Sequence, residues 1–162
     1  MNLGISVAIR PLTNRNAKKA FTLIELLVVM SIIGVIAGLG INTFVQESRS
    51  AAVRQAALQL QSDLEILRSS TIRYNADSSI TLSAGGLGYV LSIATGGMTQ
   101  TVTRVLPNGI TVARVSGTVD ITYNAPLSTV SVAAVYGLTL GGRSNFVKVI
   151  GVTGKAVFSA TQ

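Results

Sequence analysis

KKAFTLIELLVVMSIIGVIAGLG, residues 18–40, places one carboxylate, Glu25, at the head of a long apolar run. From Leu26 to Gln46 there are 21 residues without a formal charge. A helix needs roughly 20 apolar residues to cross the hydrocarbon core of a bilayer. No other segment of the 162-residue chain is long and apolar enough to span, and its mean hydropathy of +0.55 is high for one soluble domain. A carboxylate at membrane depth costs on the order of 2.5–3.5 kcal/mol on insertion scales, which makes Glu25 a functional candidate that needs a partner. The segment itself offers no Lys, Arg or His. The partner must come from another chain or from a new α-amino group, which a cut between Ala20 and Phe21 would create four residues before Glu25.

Charge is distributed to match. Arg10, Arg15, Lys18 and Lys19 supply four of the 13 positive charges without an accompanying acid, leaving nine bases against six acids from Phe21 onward. Most of the formal charge of +7 is therefore topological: basic residues before an apolar span hold that end in the cytoplasm, so the C-terminal part is expected outside it. The expected location is the bacterial inner membrane, crossed once, with later placement in a filament in the periplasm or at the cell surface.

Four segments follow. Residues 1–20 read as a leader, 21–46 as a transmembrane or filament-core helix, 47–74 as an amphipathic helix under a head, and 75–162 as a β-rich globular head. Between Pro11 and Pro107 there is no proline. One helix over about 21–74 is thus allowed, and its second half carries a stripe at Val53, Ala56, Leu60, Leu64, Leu67, Thr71 and Tyr74. From Asn75 the vocabulary turns to Val, Ile, Thr, Ser and Gly in short runs, which predicts strands near 79–83, 88–94, 100–106, 110–115, 117–123, 129–136, 145–150 and 155–159. LPNGI, residues 106–110, predicts a hairpin turn with Gly109 in the left-handed region, pairing Leu106 with Ile110 and making Arg104 and Arg114 diagonal neighbours. Gly137, Gly141 and Gly142 are expected at loops or bulges. The fold class is α+β: a long N-terminal helix packed on an antiparallel β-rich head.

The run from Lys18 to Gly40 resembles the class III leader and N-terminal helix of type IV pilins and pseudopilins: a short basic leader, Phe at the new N-terminus, Thr next, Glu fifth, then a long apolar helix. That resemblance implies a pilin-like fold and cleavage between Ala20 and Phe21 by a prepilin peptidase. It further implies N-methylation of Phe21 and a role for Glu25 in registering subunits. Ala20 stands where that family usually has Gly, and as the next smallest residue it is expected to be tolerated or to slow processing rather than to prevent it. Implied partners are the prepilin peptidase, other pilins or pseudopilins, an inner-membrane assembly platform and membrane lipid. LQSDLEILRSSTIRYN, residues 60–75, is similar to the helix-to-head junction of the GspH/FimT pseudopilins, and GVTGKAVFS, residues 151–159, to that family's last strands.

Gly34 and Gly38 form a G-x-x-x-G that permits close helix contact. Some GspH/FimT members take part in DNA uptake through basic residues near the C-terminal strands. Lys155 matches the first basic position of their Gly-Arg-x-Arg motif, and Val157 replaces the second. With Arg143, Lys148, Arg104 and Arg114 it could form a basic face for DNA or another anion, binding non-specifically and with steep salt dependence. A solvated, mildly positive surface is the alternative.

The chain has no Cys and no His. Thiol redox chemistry, histidine acid–base catalysis and the usual zinc ligand sets are excluded, no metal or cofactor is expected, and no catalytic residue stands out. The functional expectation is a minor pilin or pseudopilin in a type IV pilus or related filament, with a contribution to DNA uptake as its extension. The pseudopilus of type II secretion and a membrane-tethered periplasmic binding module that never polymerises remain the alternatives.

Overall fold

The computed structural model describes residues 21–160; the leader, including Ala20, lies outside the described residues. Two compact units divide the chain, one up to Gly40 and one from Ile41 onward.

In the first unit the described residues form an apolar helix. Helix α1, Leu23–Tyr74, begins here and continues into the second unit through Gly38, Gly40 and Asn42 without a break in its helical assignment. Every residue from Phe21 to Gly38 is exposed, with Phe21 at 77% and Leu23 at 82%. None of the described residues of this unit covers them.

In the second unit the rest of α1 serves as one wall of a core built with two four-stranded antiparallel sheets. The strands are β1 (Ser78–Leu82), β2 (Gly88–Thr95), β3 (Met98–Val105), β4 (Thr111–Ser116), β5 (Ile121–Tyr123), β6 (Ala134–Leu140), β7 (Arg143–Val149) and β8 (Ala156–Ser159). One sheet has the order β3-β2-β1-β5 and the other β4-β6-β7-β8. Val53, Ala56, Leu60, Leu64 and Leu67 of α1 are buried in one cluster with Ile80, Tyr89 and Leu91 of the first sheet and Tyr136, Leu138 and Val147 of the second. The stripe at helical spacing is thus the core face, and only its last member, Tyr74, is exposed. Burying a Leu or Val side chain contributes roughly 1.5–3 kcal/mol, so this face holds the head to its helix.

Three strand-level expectations are corrected. Leu106 and Ile110 do not pair: β3 runs beside β2 and β4 beside β6, so Pro107–Gly109 carries the chain from one sheet to the other. Both flanking residues are buried, Leu106 N–H bonding to Leu87 O at 2.9 Å, and burial of both ends favours a crossing over the core rather than a flat hairpin. Arg104 consequently opposes Tyr89, Arg114 opposes Tyr136, and the two are not neighbours. The strand expected over 129–136 lies instead at Ala134–Leu140, with Gly137 in its middle rather than at a loop. A Cβ there would stand 3.0 Å from Val115 Cγ2 and 3.3 Å from Phe146 Cε1, so this glycine admits close side-chain packing rather than a turn.

Candidate functional site

The start of α1 explains part of the motif in residues 21–25. Thr22 Oγ1 accepts a hydrogen bond from Glu25 N at 3.3 Å, and Thr22 O accepts from Glu25 N at 3.1 Å and Leu26 N at 3.2 Å. Thr22 is thereby the N-cap, satisfying amides that have no helical partner, and Glu25 sits at the third helical position where its charge favours the positive end of the helix dipole. The Thr-x-x-Glu spacing of residues 22–25 is the sequence signal for this cap. Gly34 and Gly38 lie on the same exposed helix, and a Cβ on either would meet nothing within 4 Å.

The second unit holds a buried polar node that the sequence reading missed. Asp63 has no exposed surface. Its Oδ2 accepts from Tyr89 OH at 2.8 Å and Arg104 Nε at 3.2 Å, while Oδ1 accepts from Gln59 Nε2 at 3.1 Å and Arg104 Nη2 at 3.4 Å. Burial, and then the hydrogen bond to Asp63, push the Tyr89 phenol well above its ordinary pKa, so it remains a donor. The spacing Ala56, Leu60, Asp63, Leu67 follows the buried face and was the available signal: an acid at an inward position implies a donor from the facing sheet. The buried phenols of Tyr123 and Tyr136 are likewise raised, chiefly by burial.

A second set of contacts joins residues 60–75 to residues 151–159. Glu65 Oε1 accepts from Ala156 N at 3.0 Å, and Gln61 Nε2 donates to Ala156 O at 3.3 Å. Arg68 Nε donates to Thr153 O at 3.1 Å and its Nη1 lies 3.5 Å from Glu65 Oε2. The helix therefore satisfies backbone groups around β8, an outer strand whose edge would otherwise offer unpaired donors and acceptors.

The five basic residues of the head are brought to different places. Arg104 is held by Asp63, Arg114 Nη1 donates to Gly117 O at 2.7 Å, and Arg143 Nη2 donates to Gln46 Oε1 at 2.9 Å. Lys148 opposes Val157, two residues from Lys155, so these two lysines share the face of the second sheet that points away from Tyr136 and Val147. Arg104 opposes buried Tyr89 and contacts Asp63 of the helix, and Arg143 alternates in register with buried Val147 and Val149 and contacts Gln46, so both lie on the helix side.

Comparison with known proteins bears on both units. The prokaryotic N-terminal methylation motif matches residues 15–41. No curated protein sequence matches the chain. Two crystal forms of the type IV minor pilin FimU of Pseudomonas aeruginosa are similar in structure. One has a TM-score of 0.55 at 15% identity, covering 68% of this chain and 90% of that one. The other has a TM-score of 0.53 at 15% identity, covering 67% and 94%. At that identity the likeness concerns the fold: one long N-terminal helix packed on antiparallel sheets. The chain thus carries the prokaryotic N-terminal methylation motif at the start of its helix and has the fold of a type IV minor pilin.

Proposed function

We propose that this protein is a minor subunit of a type IV pilus or a related filament, anchored in the inner membrane by residues 21–46 and assembled by helix packing. The observation that carries the reading is the apolar surface of Phe21–Gly38, exposed throughout and bearing one carboxylate near its start. Such a surface needs lipid before assembly and other helices after it. In that setting Ala20–Phe21 is the cleavage site, Phe21 the methylated N-terminus, and Glu25 the group that meets a neighbouring chain's α-amine. Gly34 and Gly38 are open positions for close helix contact. The similarity to a minor pilin favours the pilus over the secretion pseudopilus. The role is structural rather than enzymatic, with the prepilin peptidase, other pilins and the assembly platform as partners.

DNA uptake is a second reading, favoured by the shared outer face of Lys148 and Lys155. It draws on those two lysines, because Arg104, Arg114 and Arg143 are brought to other places on the head.

Mass spectrometry of the N-terminus in sheared surface filaments and in washed membranes tests the main reading. A chain beginning at methylated Phe21 in the filaments is expected. Processed chain confined to membranes would favour the secretion pseudopilus, and an intact Met1 start in both fractions would overturn the filament reading.

A further inference from the structure

Within the unit from Ile41 onward, the turn between β6 and β7 returns to the middle of α1, near Gln46 and Arg49. Arg143 reaches Gln46 across 97 positions of sequence, and a Cβ on Gly141 would stand 2.9 Å from Arg49 Nη1 and 3.2 Å from Arg49 Cδ. The Arg49 side chain therefore lies along the glycine turn that precedes Arg143. Both arginines are exposed. Among the described residues the ion pairs are Arg68–Glu65 and Arg104–Asp63, so no acid neutralises this pair. The nearest acid in sequence, Glu47, lines a separate groove with Arg54.

Position along the chain gives the pair its meaning. Gln46 closes the uncharged run, whose 21 residues span about 31 Å at 1.5 Å per residue, the thickness of the hydrocarbon core. Arg49 follows it by roughly 4–5 Å of helix rise, a distance that falls within the phosphate layer. Basic residues on the exported flank of a span oppose the orientation set by the leader, and an anionic headgroup beside them would offset that charge. A guanidinium fork matches phosphate oxygens in charge and geometry.

We propose that Arg49 and Arg143 clamp the phosphate of an anionic phospholipid in the outer leaflet of the inner membrane, resting the head on the bilayer until the chain is withdrawn into a filament. The inference rests on the membrane-anchored reading above. It supplies a role for a contact made by residues far apart in sequence, and it assigns Arg143 to lipid rather than to DNA.

The test uses the full chain, which has no native cysteine to compete for label. Ser144→Cys, beside the clamp, carries a fluorophore quenched by headgroup-labelled lipid, and Ser31→Cys carries one quenched by acyl-chain-labelled lipid. Nanodiscs of zwitterionic lipid are compared with discs containing about one-third phosphatidylglycerol. Quenching at position 144 is expected to rise about threefold in the anionic discs, to be partly retained in R49K/R143K, which keeps the charge without the fork, and to be lost in R49Q/R143Q or at high salt. Equal quenching in both lipids, or no change in R49Q/R143Q, overturns the clamp while quenching at position 31 upholds the anchor. No quenching at position 31 overturns the anchor and the clamp together. Loss of duplex DNA retention in R49Q/R143Q with lipid quenching unchanged would assign the pair to DNA and overturn the clamp.

Discussion

The Tyr89 hydroxyl donates to Asp63 Oδ2 at 2.8 Å, joining the helix to the middle of the first sheet at a point with no access to water. Arg104 approaches the same oxygen at 3.2 Å from the outer strand β3. A buried carboxylate with this partner set fixes the rotation of the helix against the sheet, because a turn about its axis would strand the charge. Tyr89→Phe removes one donor and is expected to cost about 1–2 kcal/mol, and Arg104→Ala about 1–3 kcal/mol, since Asp63 keeps its other partners. Thermal unfolding of the full chain in detergent checks both, and a double variant costing less than the two losses combined would identify one shared network.

Alkaline pH loosens the head for a different reason. Burial raises the phenols of Tyr89, Tyr123 and Tyr136 above the ordinary value of 10.0. Above pH 10 the unfolded chain loses these protons and the native one keeps them, so the unfolded state binds fewer protons and stability falls as pH rises. The expected slope is roughly 1 kcal/mol per phenol per pH unit, absent below about pH 9. Urea midpoints between neutral pH and pH 11 measure it, and Tyr136→Phe should make the slope shallower.

Two glycines with similar φ should respond differently to alanine. Gly109 has φ +71 and open space around it, so Gly109→Ala carries only the left-handed penalty, about 1–2 kcal/mol. Gly117 has φ +85, and a Cβ there would stand 2.1 Å from Ala133 O, a backbone atom that cannot swing away. Gly117→Ala is expected to exceed that penalty by at least about 2 kcal/mol, or to prevent folding, as read from expression and unfolding midpoints.

At the N-terminus, Glu25→Ala should insert into the inner membrane at least as well as the native chain, because it removes a charge that costs about 2.5–3.5 kcal/mol at depth. Incorporation into filaments should nevertheless be lost. Fractionation of membranes and sheared filaments separates the two effects, and unchanged filament content would favour the tethered-module alternative.

Ala20→Gly should speed leader removal, since the smallest residue would then precede the cut. Pulse-chase comparison of precursor and mature chain measures the rate, and an equal rate would mean that Ala20 is fully accepted.

Local rules made the first half of the protein legible. The uncharged run, the basic leader and the stripe from Val53 to Thr71 depend on neighbours within a few residues, where helical periodicity and charge counting apply directly. Sequence alone thus determined the apolar helix, the buried face of its continuation and a β-rich head. Tertiary structure alone decided which strands meet: a turn such as LPNGI suits a hairpin or a crossing equally well in its own residues, and only the burial of Leu106 and Ile110 between two sheets selects the crossing. It decided likewise that Asp63 would find Tyr89 and Arg104, and that Arg143 would reach Gln46. Those contacts join residues tens of positions apart, and the free energy that selects them comes from the assembled core, which no short stretch of the chain contains.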